Sequence, residues 1–209
     1  MWYFLIAIIS IILIVYFKLY NSKKFDLNGK HVFITGGSKG IGRSLAEIAV
    51  ESGANVSIVA RDYDALEETK MDLLKKCINT GKQKVFVQSV DVSGDFMDIE
   101  KAITEAESVS GPVYLLICSA GTSISQRFED TSINSFKTMM NVNYFGTVNT
   151  IKAALPSMKN NEKGHIILFS SIAGLFGLYG YSAYSASKFA ITGLAQALSM
   201  EVINDDSNN

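Results

Sequence analysis

The feature that most constrains the fold of this chain is a glycine-rich turn placed directly after a short apolar run. The run is His31–Ile34, and the turn Thr35–Gly42 reads T-G-G-S-K-G-I-G. Glycine lets the backbone bend tightly and approach a phosphate, and the free N–H groups at the start of a following helix face the anion. The pattern predicts a strand, a phosphate-binding turn and a helix from Arg43 to Ser52. A glycine-rich turn without a ligand is the alternative, which this strand and helix context disfavours.

Patterns typical of strands and helices alternate along the rest of the chain. The predicted strands are His31–Thr35, Asn55–Ala60, Lys84–Val90, Val113–Cys118 and His165–Ser170. Because helical stretches separate them, the sequence predicts an α/β fold with a doubly wound parallel sheet and helices on both faces. In such sheets ligands bind beyond the carboxyl ends of the strands. The glycine turn and the polar residues that follow the other strand ends are therefore expected around one crevice.

A tyrosine and a lysine stand one helical turn apart near the end of the chain. Tyr184 and Lys188 belong to the run Y-S-A-S-K, and positions i and i+4 share one face of a helix. A free phenol has a pKa of about 10, and a cation within about 4–6 Å favours the phenolate, so this spacing suits a tyrosine that acts as an acid. Such pairs are also common on helix surfaces, so the pair alone leaves a purely structural role open.

Together these motifs resemble the short-chain dehydrogenase/reductase family from about Leu27 to Val202. The family carries T-G-x-x-x-G-x-G, an N-A-G-type loop after the fourth strand, an asparagine in the long fifth helix, a serine after the fifth strand and Y-x-x-x-K. The matching residues here are Gly36, Gly40, Gly42, Asn143, Ser171, Tyr184 and Lys188. The loop keeps Ala120 and Gly121, but Cys118 and Ser119 replace the usual asparagines. The hydrogen bonds with which that loop supports the central strand are therefore in question.

The resemblance implies a Rossmann-type fold and hydride transfer from a nicotinamide cofactor to a ketone carbon. It implies that Tyr184 donates the proton and that Ser171 hydrogen-bonds the developing oxyanion. It also implies that Lys188 holds the ribose hydroxyls and that Asn143 anchors a water chain. The residues implied to contact the cofactor are Gly36, Ser38, Lys39, Gly40, Ile41, Gly42, Arg61, Asp91, Val92, Ala120, Gly121, Tyr184 and Lys188. Plain alternatives remain, because a serine can cap a turn, an aspartate can close one, and an asparagine can lie on a helix surface.

Charges near the end of the second predicted strand bear on the choice of cofactor. A carboxylate there usually binds the ribose 2′-hydroxyl of NAD, whereas NADP needs a cation for its 2′-phosphate. Ala60 and Arg61 occupy the strand end, and Lys39 in the glycine turn adds a second positive charge. Asp62 opposes them a little, and each charge alone is compatible with simple surface solvation. The pattern favours NADP(H) over NAD(H).

The first 17 residues are apolar except for Ser10, which at 1.5 Å per residue gives a helix of about 26 Å. We expect a transmembrane anchor at 1–20, a polar linker at 21–26 and the reductase domain at 27–209. A cleaved signal peptide is the alternative, although its basic start and cleavage site are not clear here. Lys18, Lys23 and Lys24 follow the span and favour a domain that faces the cytosol. The resemblance places such an anchor in the endoplasmic reticulum membrane.

Composition excludes some classes of function. A net charge of −1 provides no basic excess for nucleic acid. The two cysteines, Cys77 and Cys118, are far apart and have no partners at metal-ligand spacing, so neither a metal site nor a disulfide framework is predicted. His31 and His165 are expected at strand edges, without a catalytic role.

The substrate and the end of the chain are the last two expectations. Apolar residues that could wall a pocket lie between Ser171 and Tyr184, namely Phe176, Leu178, Tyr179 and Tyr181. With the anchor and the resemblance, they favour NADPH-dependent reduction of a lipid ketone of sphingolipid synthesis, with steroid or retinoid reduction as the alternative. Family members continue with at least two more strands after the last helix, so the sheet is expected to be incomplete at its C-terminal side. A catalytically silent, membrane-tethered module that binds nucleotide or pairs with a second copy through its long helices is the alternative of another class.

Overall fold

The structure is a computed structural model that describes residues 26–79, 81–161 and 164–205, and Trp2 and Ser10 ahead of them. Apart from those two residues, the predicted anchor at 1–20 lies outside these ranges. The linker residues 21–25 and the last residues 206–209 also lie outside. Among the residues described, no helix combines the length and the apolar character needed to cross a bilayer.

Five strands alternate with helices along the described chain. The strands are β1 (His31–Thr35), β2 (Asn55–Ala60), β3 (Val85–Ser89), β4 (Val113–Cys118) and β5 (His165–Leu168). The helices are α1 (Gly40–Glu51), α2 (Tyr63–Lys75), α3 (Phe96–Ser110), α4 (Ile133–Met139), α5 (Gly146–Asn160) and α6 (Ser182–Asp205). A π-helical segment at Met140–Phe145 joins α4 to α5, and a 3₁₀ turn at Ile172–Gly174 precedes α6.

The strands form one parallel sheet in the order β3-β2-β1-β4-β5. Apolar side chains fill both of its faces. Ile34 of β1 packs in a cluster with residues of α1 and α2, whereas Phe33 of the same strand packs in a second cluster with residues of α3 and α5. Successive side chains of a strand point to opposite faces, so a sheet buried on both sides needs such apolar runs. The doubly wound parallel α/β fold predicted from the sequence is confirmed.

The bounds of several elements differ slightly from those predicted. β1, β2 and β4 have the predicted bounds, whereas β3 and β5 are shorter by one or two residues at their ends. The first helix begins at Gly40 rather than at Arg43, because helical hydrogen bonding already starts inside the glycine motif. The Arg43 N–H donates to the carbonyl of Lys39 over 3.3 Å.

His31 is buried in the centre of the sheet, so the prediction that it lies at a strand edge was wrong. It starts β1, which pairs with β2 and β4, and is 2% exposed. Its Nδ1 lies 2.6 Å from the carbonyl of Gly111 and its Nε2 lies 2.7 Å from Oγ of Ser57. A carbonyl can only accept, so Nδ1 carries the proton and Nε2 accepts from the serine hydroxyl. Burial lowers the pKa of His31 and favours this neutral form.

Candidate active site

A cleft of about 380 Å³ lies at the carboxyl ends of β1 to β4, where the strand order of the sheet reverses. Ten residues predicted to contact a cofactor line it: Gly36, Ser38, Lys39, Ile41, Gly42, Arg61, Asp91, Val92, Ala120 and Gly121. Ala60, Asp62 and Ser119 line it as well. Of the other predicted residues, Gly40 lies within the same turn, and Tyr184, Lys188, Asn143 and Ser171 lie outside the lining of this cleft.

The glycine turn leaves no room for side chains at Gly36, Gly37 and Gly42, and the first and last of these line the cleft. A Cβ at Gly36, whose φ is +69°, would lie 2.8 Å from Cα of Ala120. A Cβ at Gly42 would meet the carbonyl oxygen of Gly36 and lie 2.6 Å from Oγ of Ser119. Side-chain-free backbone therefore lines this part of the cleft, as the close approach of a pyrophosphate requires.

The helix α1 begins in this turn, and the side chain of its N-cap residue, Lys39, makes no capping hydrogen bond. In contrast, an aspartate side chain caps α2 and another caps α3. The first N–H groups of a helix have no partner within the helix, and the positive end of its dipole attracts anions. Uncapped N–H groups beside a glycine turn in a cleft fit the phosphates of a nucleotide.

The loop after β4 supports the central strand through a serine. The hydroxyl of Ser119 donates to the carbonyl of Thr35 over 2.9 Å, and the N–H of Ala120 donates to Oγ1 of Thr35 over 3.2 Å. This loop therefore still forms hydrogen bonds to β1, although Cys118 and Ser119 replace the usual asparagines. Burial raises the pKa of the neighbouring Cys118 to about 12, so this thiol stays protonated and is not a nucleophile.

Two cations and two carboxylates line the cleft near the ends of β2 and β3. Lys39 Nζ lies 2.8 Å from Oδ2 of Asp62, in an ion pair between the loops that follow β1 and β2. Arg61 has no ion-pair partner within 4.0 Å among the described residues. The positive charge of Arg61 acts on the nearby Asp91 and helps to lower the pKa of the Asp91 carboxyl.

Asp91 also closes a turn of its own. Its Oδ1 accepts from the N–H of Ser93 over 3.0 Å and from the hydroxyl of the same residue over 2.7 Å. Burial raises the pKa of Asp91, but these hydrogen bonds and the Arg61 charge outweigh it and hold the pKa below its usual value. Asp91 therefore closes a turn, which was the alternative interpretation from the sequence, and it also lines the cleft, as a residue that contacts the cofactor would.

Asn143 lies in the π-helical segment and is 1% exposed, so it is not a helix-surface residue. Its Oδ1 accepts from the N–H of Thr122 over 2.8 Å, and its Nδ2 donates to the carbonyl of Thr122 over 2.9 Å. The same Nδ2 donates to Oγ of Ser187 over 2.9 Å, and Ser187 donates to the carbonyl of Tyr184 over 2.7 Å. A buried amide thus fixes the loop after β4 to the first turns of α6.

Lys188 and Tyr184 are neighbours, as the spacing predicted. Lys188 is 7% exposed, donates from Nζ to the carbonyl of Phe169 over 2.7 Å, and lies 5.7 Å from the centre of the Tyr184 ring. Burial lowers the pKa of this lysine. A Cβ at Gly121 would lie 3.9 Å from Lys188 Nζ and 3.2 Å from Oδ1 of Asn143. Gly121 therefore connects the cleft to the tyrosine and lysine.

Ser171 follows β5 and caps the 3₁₀ turn. Its Oγ accepts from the N–H of Ala173 over 3.2 Å, which leaves its own O–H free to donate. Next to it, Ser170 donates to the carbonyl of Lys188 over 3.1 Å, and a Cβ at Gly174 would lie 2.7 Å from the same oxygen. This segment therefore packs on α6 at the turn that carries Lys188.

The predicted apolar wall is partly exposed. Phe176 and Tyr179 are 52% and 83% exposed, so within the described residues they do not belong to the core. Tyr181 packs edge-on against Tyr184 with ring centres 6.0 Å apart, and the segment around it pairs with Gln126. The wall thus borders Tyr184 at Tyr181.

Sequence reasoning missed two residues of this site, Ser187 and Thr122. Ser187 lies inside Y-S-A-S-K, three positions after Tyr184, on the side of the helix that faces Asn143. That spacing is a weak signal, since it does not show which element covers the helix. Thr122 takes part only through its backbone, which no side-chain pattern marks.

The chain belongs to the short chain dehydrogenase family, whose model matches residues 30–206. A short chain dehydrogenase/reductase from Burkholderia phymatum, solved in complex with NAD, is 27% identical and superposes with a TM-score of 0.80 over 87% of this chain and 63% of that one. A short-chain dehydrogenase from Streptomyces avermitilis is 30% identical with a TM-score of 0.75, over 84% of this chain and 61% of that one.

Two curated relatives are more similar in sequence. The chain is 44% identical to 3-dehydrosphinganine reductase of Danio rerio over 197 residues, which are 93% of this chain and 59% of the relative. It is also 44% identical to 3-ketodihydrosphingosine reductase of Mus musculus over 198 residues, 94% of this chain and 59% of the relative. The chain thus spans about three fifths of the length of these relatives.

Proposed function

We propose that this protein reduces a lipid ketone with NADPH, and that its substrate is 3-ketodihydrosphingosine, which it converts to dihydrosphingosine in sphingolipid synthesis. One observation carries the reaction type: Gly121 joins a nucleotide-sized cleft to a buried lysine beside Tyr184. The curated relatives that are 44% identical and named for this ketone support the substrate.

The cleft fits a nicotinamide cofactor, and the NAD-bound relative supports one. The glycine turn and the uncapped start of α1 would hold the pyrophosphate. Lys188 has three N–H donors and gives one to Phe169, so two remain for the ribose hydroxyls. Arg61, which has no ion-pair partner among the residues that the structure describes, supports NADP(H) because its guanidinium suits a phosphate. The bound cofactor supplies a hydride to the carbonyl carbon of the substrate.

The chain's own residues would handle the oxygen of that carbonyl. Negative charge develops on the oxygen as the carbon is reduced, and the free O–H of Ser171 would donate a hydrogen bond to it. The Tyr184 hydroxyl would give its proton to the same oxygen and so complete the alcohol. The buried Lys188 ammonium stabilises the phenolate that remains until solvent returns a proton. Asn143 and Ser187 would hold the backbone of Tyr184 in a fixed position relative to the loop after β4.

Location follows the same proposal. A membrane anchor at 1–20 would hold the domain at the cytosolic face of the endoplasmic reticulum membrane, where a lipid ketone arrives by lateral diffusion. The lysines that follow the span support this orientation. The exposed Phe176 and Tyr179, in the segment between Ser171 and Tyr184, support an apolar substrate.

The experiment measures NADPH oxidation by the purified chain, alone and fused to the C-terminal part of the mouse relative, with 3-ketodihydrosphingosine in detergent micelles. We expect turnover that Tyr184→Phe lowers about 100-fold or more, with NADPH affinity unchanged within about two-fold. Tyr181→Phe is the matched control, since it removes a hydroxyl from the neighbouring ring.

Other outcomes would contradict distinct parts of the proposal. Reduction of a steroid or retinal ketone but not of the sphingoid ketone would show that the substrate is wrong. NADPH binding without turnover of any ketone would identify a silent nucleotide-binding module. Full turnover in Tyr184→Phe would remove the assigned acid.

A further inference from the structure

Lys39 and Asp62 form an ion pair between two loops of the nucleotide cleft. Lys39 Nζ and Asp62 Oδ2 are 2.8 Å apart, and the two side chains are 71% and 51% exposed. Both residues line the cleft. Lys39 follows β1 and Asp62 follows β2, so the pair spans the position at which cofactor charge is recognised in this fold.

The position of the Asp62 carboxylate is fixed by a second contact. Its Oδ1 accepts from the N–H of Ala65 over 3.1 Å and so caps α2. The hydrogen bonds from Lys39 and then from Ala65 lower the pKa of Asp62, so the carboxylate is charged at neutral pH. Lys39 has no other ion-pair partner within 4.0 Å among the residues that the structure describes. The cation implied for a 2′-phosphate therefore already has a protein anion bound to it.

We propose that Asp62 tunes the selectivity between NADP(H) and NAD(H) by competing with the 2′-phosphate for Lys39. This inference rests on the proposed cofactor. A 2′-phosphate carries about −1.5 to −2 charges near pH 7. To bind Lys39 it must either displace Asp62 or share the ammonium with it, because an ammonium has three donors, and in both cases the carboxylate remains nearby as a like charge. A cofactor without the 2′-phosphate leaves the ion pair intact, so Asp62 lowers the preference for the phosphorylated form.

The exposure of the pair limits the size of the effect. Ion pairs between exposed side chains are weak, because water screens them and two long side chains must be ordered. Removal of the Asp62 charge should therefore raise the affinity ratio of phosphorylated to unphosphorylated nucleotide about two- to five-fold. Salt screens such charges, so the change should shrink at high ionic strength.

The test compares two aspartate-to-asparagine variants at helix caps. Asp62→Asn removes the charge and keeps a good capping residue, because asparagine caps helices as well as aspartate does. Asp95→Asn is the matched control, since Asp95 caps α3 through the N–H of Met97 over 2.9 Å and does not line the cleft. Calorimetry would measure binding of adenosine 2′,5′-bisphosphate and adenosine 5′-monophosphate at low and high salt. These probes lack nicotinamide, so the readout does not depend on catalysis.

We expect Asp62→Asn to raise the ratio for the bisphosphate over the monophosphate about two- to five-fold at low salt, and Asp95→Asn to leave it unchanged. Thermal unfolding should be similar for both variants. In a Lys39→Gln background the effect of Asp62→Asn should shrink, because the shared cation is gone.

Each contrary outcome has a separate meaning. An unchanged ratio in Asp62→Asn, or an equal gain for both probes, would overturn the inference and leave the proposed cofactor standing. Failure of the unmutated protein to bind either probe would overturn the proposed cofactor site and the inference with it.

Discussion

Removal of the Ser187 hydroxyl should destabilise the protein through the network that joins the loop after β4 to α6. Ser187 is fully buried, accepts from Asn143 Nδ2 over 2.9 Å and donates to the carbonyl of Tyr184 over 2.7 Å. In Ser187→Ala one N–H of the Asn143 amide loses its acceptor in a place that water does not reach. The other N–H of that amide keeps its bond to Thr122.

The expected loss of stability follows from the two hydrogen bonds of the Ser187 hydroxyl, one from Asn143 and one to the carbonyl of Tyr184. A typical internal hydrogen bond contributes about 0.5–1.5 kcal/mol net, and a buried donor without a partner costs about 1–3 kcal/mol. We therefore expect Ser187→Ala to lower the free energy of unfolding by about 1–3 kcal/mol. For a domain of this size, 1 kcal/mol shifts Tm by about 2–4 °C, so Tm should fall by about 2–12 °C.

Ser199→Ala is a matched control on the same helix. Ser199 also donates to the carbonyl three residues earlier, that of Gln196, over 2.8 Å, but it is exposed and has no Asn143 above it. Both variants gain the higher helix propensity of alanine, so the comparison isolates the buried network. Thermal and urea unfolding would be followed by circular dichroism at neutral pH. Equal stability of the two variants would show that Asn143 does not depend on Ser187.

Two further predictions concern the sheet and the glycine turn. Burial lowers the pKa of His31 in the folded state, so the unfolded state binds a proton there more readily. The contribution of His31 to the free energy of unfolding should therefore be complete above about pH 6.5. It should fall by at most about 1.4 kcal/mol per pH unit as the pH drops from there towards the lowered folded pKa. Urea unfolding between pH 7.5 and 5.5 checks this, and the slope should be smaller in His31→Gln; equal slopes would contradict it. Gly42→Ala would press a Cβ against the carbonyl of Gly36 and should cost about 1–3 kcal/mol together with nucleotide affinity. Gly193→Ala, where a Cβ meets nothing within 4 Å, should be tolerated in both assays; similar losses in the two variants would show that crowding in the turn is not the cause.

The fold and the position of the site could be predicted from local patterns. The bounds of β1, β2 and β4 follow from short, largely apolar runs, and the cleft lies where the rule for parallel sheets puts it, with Arg61 and Gly121 at its lining. The start of α1 could not be predicted to the residue, because a glycine such as Gly40 can belong to a turn or to a helix. The burial of His31 was also missed, since a histidine that begins a strand looks the same in a central strand as in an edge strand.

The partners of the polar side chains could not be predicted. Ser119 replaces an asparagine, and only the approach of β4 to β1 shows that its hydroxyl still reaches Thr35. Asn143 could have been a surface residue, and the packing of α6 against the π-helical segment buries it instead. Asp62 was read as a weak opposing charge, whereas the structure pairs it directly with Lys39.

The sequence by itself determined the parallel α/β architecture, the glycine turn and the shared helix face of Tyr184 and Lys188, because all of these depend on spacings of a few residues. Only the tertiary structure decided which distant groups meet: Asn143 with Ser187 across 44 positions, Lys39 with Asp62 across 23, and His31 with Gly111 across 80. Those contacts depend on strand order and helix packing, which the whole chain sets through burial of its apolar faces. A local pattern can place a polar group at the end of a strand, but only the folded chain supplies its partner.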